Sequence, residues 1–96
     1  MPYAISNKYP GGTREQYQAV VAKVHPPDGL PDGQKHHYAG PTEDGGWLVV
    51  AIWDSKESFE KFRDETLFPS LQSLGDEGLP GPPEMDAFEI TNEMAA

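Results

Sequence analysis

The run from Trp47 to Trp53, WLVVAIW, constrains this chain more than any other feature. Seven residues are too few for a buried helix, and the β-branched and aromatic content reads as a strand. Trp47, Val49, Ala51 and Trp53 fall on one face, and Leu48, Val50 and Ile52 on the other. A strand that is apolar on both faces belongs inside a sheet covered on both sides. The whole chain has 96 residues, enough for a single domain with one helical layer over one sheet. The second face then calls for a partner.

The rest of the chain supplies the remaining elements. Tyr3 to Tyr9 is short and aromatic-rich and stops at Pro10-Gly11-Gly12, as a strand ended by a turn does. Thr13 followed by Gln16 makes a capping box, and Tyr17, Val20, Val21 and Val24 lay a buried stripe along the helix it opens. His25 falls in the last turn, Pro26-Pro27 ends the helix, and Pro26 to Gly33 is a connecting loop with Asp28-Gly29 and Asp32-Gly33 as turn formers. Gln34 to Gly40 reads as a second strand, joined to Trp47–Trp53 through the Asp44-Gly45 turn signal. Asp54 with Glu57 predicts a capped second helix with Phe59 and Phe62 on its buried side, interrupted by Pro69 near Leu67-Phe68. Ser70 to Leu74 forms a further short turn, Gly75 to Pro83 a loop, Met85 to Thr91 a last strand, and Asn92 to Ala96 a frayed tail. The order β-α-β-β-α-β gives an α+β, ferredoxin-like domain over residues 1–96, a four-stranded antiparallel sheet with two helices on one face. A second copy, sheet against sheet, would cover the other face.

Charge narrows the partners. A formal net charge of −9, from sixteen acids against seven bases, opposes contact with nucleic acid and with anionic membrane surfaces. No apolar run approaches the about 20 residues that span a bilayer, and Met1 to Tyr9 lacks the pattern of a signal peptide, so the expected location is the cytoplasm. With no cysteine, thiolate nucleophiles and thiolate metal sites are excluded.

Chemistry is carried by few residues. His36 and His37 are adjacent on a strand, so they point to opposite faces and do not share a metal ion; no metal site is expected. One of them faces inward, where an imidazole among aromatic groups can act as a general base or serve only as a packed, hydrogen-bonded histidine. Trp47 and Trp53 flank the small Ala51, a gap that suits a pocket wall for a flat ligand and equally suits ordinary core packing. Hairpin register decides whether His37, or His36 with Tyr38, joins that face, and a one-residue slip inverts the answer. Asn7, on the first strand, has an amide able to polarise a carbonyl if it is buried.

The stretch His37-Tyr38-Ala39-Gly40-Pro41-Thr42, then Asp44-Gly45-Gly46-Trp47, Trp53-Asp54-Ser55, and Phe59 with Phe62 resembles small bacterial proteins of the dimeric α+β barrel superfamily, near its antibiotic biosynthesis monooxygenase-like branch. The resemblance implies a homodimer whose two sheets form a barrel, with a pocket between each sheet and its helices. It implies a small apolar ligand, aromatic or polyketide-like, and no cofactor. His37, which fits the family pattern, would take a proton in a cofactor-independent oxygenation, a cyclisation or an isomerisation. Asn7 would assist it, while Trp53, Trp47, Tyr38 and His36 would line the ligand. Haem-degrading relatives carry a haem-ligating histidine on the second helix, and Ser55 to Glu65 contains none. A non-catalytic dimer that binds a ligand or a protein is the competing class, because one fold hosts many functions.

Overall fold

The computed structural model describes residues 1–27, 29–80 and 82–96; Asp28 of the first loop and Gly81 of the second lie outside the described residues. Strand β1 is Tyr3–Tyr9, helix α1 Arg14–Val24, strand β2 Gln34–Pro41 and strand β3 Trp47–Trp53. Helix α2 is Lys56–Phe62 and helix α3 Phe68–Leu74, joined by a π-helical turn over Arg63–Leu67; strand β4 is Glu84–Glu89. The strands form one antiparallel sheet in the order β2-β3-β1-β4. The ferredoxin-like α+β architecture expected from the element order is present.

Local chemistry explains most boundaries. The Thr13 hydroxyl accepts the Gln16 N–H and the Gln16 side chain accepts the Thr13 N–H, so the capping box forms in full. At the hairpin, the Gly45 N–H donates to the Thr42 carbonyl, and Gly45 sits at φ +89°, where glycine is free of the left-handed penalty. The last strand ends at Glu89 rather than Thr91, although the Ile90 N–H still donates to the Pro2 carbonyl.

Helix α2 departs from expectation at both ends. Its N-cap is Ser55, whose hydroxyl accepts the Ser58 N–H, and not Asp54. The Asp54 N–H is committed to the Gly33 carbonyl at 2.8 Å, which extends the sheet ladder by one residue and delays the helix by one. Pro69 does not end the helical path either. The Phe68 N–H reaches back five residues to the Arg63 carbonyl, and this wider turn carries the chain into α3 with Pro69 in its first turn, where a missing N–H costs nothing.

The core fills the space between sheet and helices in two adjoining clusters. Tyr9, Val20, Val24, Trp47 and Leu79 make one, Ile5, Ala51, Trp53 and Phe59 the other, and Phe62 packs against both. On the opposite face Leu48, Val50 and Ile52 are half-buried between neighbouring strands, with Tyr38 on β2 and Phe88 on β4 each more than 60% exposed. Both faces of β3 are apolar, and helices cover one of them.

Two glycines separate strain from overlap. Gly45 and Gly33 share φ +89°, but a Cβ on Gly45 meets open space, whereas one on Gly33 would lie 2.8 Å from Ser58 Cβ. Gly45→Ala should cost about 1 kcal/mol and Gly33→Ala at least about 1 kcal/mol more, read as the difference in urea midpoints. Equal losses would mean that the contact between Gly33 and α2 yields freely.

Candidate functional site

Hairpin register settles which histidine faces the helices. Pro41 pairs with Trp47, so His37 pairs with Ala51 and joins the tryptophan face, while His36 pairs with Ile52 and Tyr38 with Val50 on the open face. Asn7 pairs with Val49 and shares the helix-covered side. Beneath α1 and α2 a cavity of about 60 Å³ opens between the sheet and the helices, bordered by His37, Asn7 and Trp53 together with Tyr17, His25 and Gln34. At roughly 10–15 Å³ per water, it admits about four to six waters before any adjustment. Its other lining residues are apolar save Tyr9, and among the described residues no Asp, Glu, Lys or Arg borders it, in a chain of net charge −9.

At its centre is a hydrogen-bonded chain. His37 Nδ1–H donates to Gln34 Oε1 at 2.9 Å, and the Tyr17 hydroxyl donates to His37 Nε2 at 2.5 Å. A regular strand would send Gln34 and His37 to opposite faces, since they are three residues apart. The register shifts by one residue between Gln34 and His36, a β-bulge that turns Gln34 onto the face of His37. Tyr17 reaches the imidazole from the first residue of the helical stripe and packs on Trp47, ring centroids 5.3 Å apart. The His25 ring stands edge-on to His37 at 4.9 Å.

Electrostatics keep this group neutral. Burial, and secondarily the nearby His25, push the His37 pKa down to about 4, and burial lowers His25 as well. Burial raises the Tyr17 hydroxyl above its ordinary value. Near pH 7, then, the imidazole is an uncharged acceptor and the phenol an uncharged donor.

Not every residue singled out from sequence converges here. Trp47 is buried but braces Tyr17 from outside the cavity, and His36 and Tyr38 stack on each other on the far side of the sheet, so neither of the latter two can line it. The reason is the parity of the hairpin pairing. Sequence reasoning passed over Tyr17, taken as a stripe residue, Gln34, whose role needs the bulge, and His25, taken as a helix terminus. Trp53 is 1% exposed, and its Nε1–H has no partner among the described residues. The cavity shares Asn7, Tyr9, Phe59 and Leu67 with an outer apolar cleft of about 220 Å³ that runs to Arg63, Phe68 and Met85. No group of three or more His, Asp or Glu suited to a metal ion occurs among the described residues, and no helix there is long and apolar enough to cross a membrane.

Neither a family model nor a curated protein matches the sequence. Solved structures do. Rv0793 of Mycobacterium tuberculosis superposes with a TM-score of 0.73 at 15% identity, over 99% of this chain and 100% of its own. The cofactor-independent oxygenase SnoaB of Streptomyces nogalater gives 0.71 at 15% identity, over 99% and 98%. A protein of Chloroflexus aurantiacus, provisionally assigned as an antibiotic biosynthesis monooxygenase, gives 0.66 at 14%, over 99% and 98%. The fold is therefore the one these solved structures share, a four-stranded antiparallel sheet under helices.

Depressed imidazole basicity makes stability pH-dependent. A histidine whose pKa is lower folded than unfolded contributes stability above about pH 6.5, the unfolded value, and that contribution is lost as pH falls toward the folded value near 4. Between pH 7 and 4.5, native protein should lose about 1–2 kcal/mol more than His37→Gln, after allowing for the half-exposed setting. Parallel pH profiles in urea titrations would remove the claim that His37 is held neutral.

Proposed function

We propose that the protein binds a small, flat, mostly apolar molecule, aromatic or polyketide-like, between its sheet and helices, and acts on it by proton abstraction without metal, flavin or nucleotide. The observation that carries this reading is the Gln34–His37–Tyr17 chain set in an uncharged, otherwise largely apolar cavity. His37 is the final proton acceptor, and Asn7 and Trp53 orient the substrate with an amide and an indole N–H. In the oxygenase form, an activated R₂CH₂ carbon loses a proton, the carbanion passes electrons to dioxygen, and loss of water leaves R₂C=O. Substrate and O₂ then supply every atom and electron. SnoaB, a cofactor-independent oxygenase of the same fold, supports that choice over isomerisation or cyclisation by the same acceptor.

One observation favours a second reading, in which the cavity holds a ligand without turning it over. An imidazole of pKa about 4 accepting the proton of a phenolic ligand of ordinary pKa about 10 leaves the transfer roughly six units uphill, on the order of 8 kcal/mol. Catalysis requires the bound ligand to raise that basicity.

Under either reading the active form is a homodimer joined through the open sheet face. Ile52 lies between His36 and Ala4 with Phe88 beyond, and Val50 lies beside Tyr38, an apolar field that gives way to Asp86 and Glu84 along β4. Sedimentation should give about twice the 10.6 kDa monomer mass, and Val50→Asp should return the monomer. A native monomer at micromolar concentration would sink the dimer.

Titration with flat aromatic compounds, anthrone among them, should quench tryptophan fluorescence saturably, and less so in Trp53→Phe. Where a compound also drives oxygen uptake, His37→Ala should lower turnover by about 10²-fold or more. Unchanged turnover would remove His37 from the chemistry, and quenching without uptake across the panel would leave the binding reading.

A further inference from the structure

Hydrogen-bonding capacity at the His37–Tyr17 end of the Gln34–His37–Tyr17 chain is almost fully committed. Gln34 Oε1 accepts the Nδ1–H of His37, so the other ring nitrogen carries the lone pair, and that lone pair takes the Tyr17 proton. His37 therefore has no free site on either nitrogen. Tyr17 has no free proton, but its oxygen retains a lone pair, and Tyr17 borders the cavity. From this we infer that Tyr17, rather than His37, is the group that meets the ligand, and that the chain makes the site selective for a ligand presenting a hydroxyl or N–H donor to the Tyr17 oxygen.

This inference rests on the ligand-binding reading of the cavity and specifies its chemistry. A donor on the ligand completes the chain, whereas an ether or carbonyl oxygen placed there would set lone pair against lone pair. Neighbours hold the polarity in place: the β-bulge fixes Gln34 beside His37, Trp47 braces the Tyr17 ring, and His25 packs edge-on against the imidazole. Among the described residues no carboxylate borders the cavity to offer a donor a charged competitor, and the other acceptors there, Asn7 and His25 among them, are neutral side chains. Trp53, which borders the same cavity from the sheet, has the complementary need, an indole N–H that has no partner among the described residues and seeks an acceptor. Deprotonation runs through Tyr17: the ligand O–H proton passes to the Tyr17 oxygen as the Tyr17 proton passes to His37 Nε2, leaving a ligand anion and an imidazolium. Tyr17 is then the catalytic residue in contact with substrate, and His37 and Gln34 are positioning residues that act through it.

The test compares 2-naphthol with 2-methoxynaphthalene by isothermal titration calorimetry on the full chain at pH 7.5, with circular dichroism to verify each variant's fold. Native protein should bind the naphthol at least about tenfold more tightly than the ether. Tyr17→Phe, which removes only an oxygen, should bring the two within about twofold by weakening the naphthol, an outcome that steric exclusion of the methyl group would not produce. His37→Leu should free the Tyr17 proton to donate, so that the ether gains on the naphthol, a shift that a merely structural histidine would not cause. Equal native affinities, or a preference that survives Tyr17→Phe, overturn the inference and leave the cavity a ligand site. Failure of native protein to bind either probe overturns both.

Discussion

Burial of the tryptophan face of β3 beneath the helices is the constraint on which the rest of the structure depends. Trp53 is almost completely enclosed, with the Phe59 and Phe62 rings at 5.9 and 5.1 Å, and a side chain of that size contributes on the order of 4–6 kcal/mol at most when buried. Trp47 does the same at the other end of the strand against Tyr17. Between them Ala51 is too small to fill the layer, and the unfilled volume is the cavity. The same large residues that stabilise the sheet–helix interface thus leave the cavity between them. Their indole N–H groups, without partners among the described residues, are a cost that a well-packed core would ordinarily avoid.

Two local irregularities shape this space. The bulge at the start of β2 brings Gln34 onto the His37 face, and the π-helical turn keeps the α2 path continuous past Pro69 while placing Leu67 between the inner cavity and the outer cleft. Both insert one residue into a regular repeat, and such insertions recur where a chain must aim side chains at a site. The β2 bulge also holds the imidazole by both nitrogens, because Gln34 takes one and leaves the other to Tyr17.

Burial and charge work in the same direction on this histidine. Removing it from water favours the neutral ring, and a second imidazole nearby adds to that preference, so the site pairs a poised geometry with weak intrinsic basicity. A ligand that becomes an anion in the cavity would reverse the balance by stabilising the imidazolium. Chemistry of this kind depends on the ligand as much as on the protein.

Much of the fold was legible in sequence because it follows from local rules: the apolar runs, the Thr13 capping box, the Asp44-Gly45 turn and the proline-rich connectors place β1, α1, β2 and β3 within a residue of where they lie. Local rules misplaced the α2 cap because Asp54 is engaged by Gly33, a residue of another element, and misjudged Pro69 because a wider turn absorbs it. The site was half visible. His37, Asn7 and Trp53 carry chemistry in their own names, whereas Tyr17 and Gln34 gain theirs only from neighbours on other elements or across a bulge. By itself the sequence determined a four-stranded sheet under helices with one face left apolar, since period and turn chemistry act over a few residues. Tertiary structure alone decided which histidine faces inward and what it bonds, since register is a pairing between strands and reverses every side chain when it slips by one.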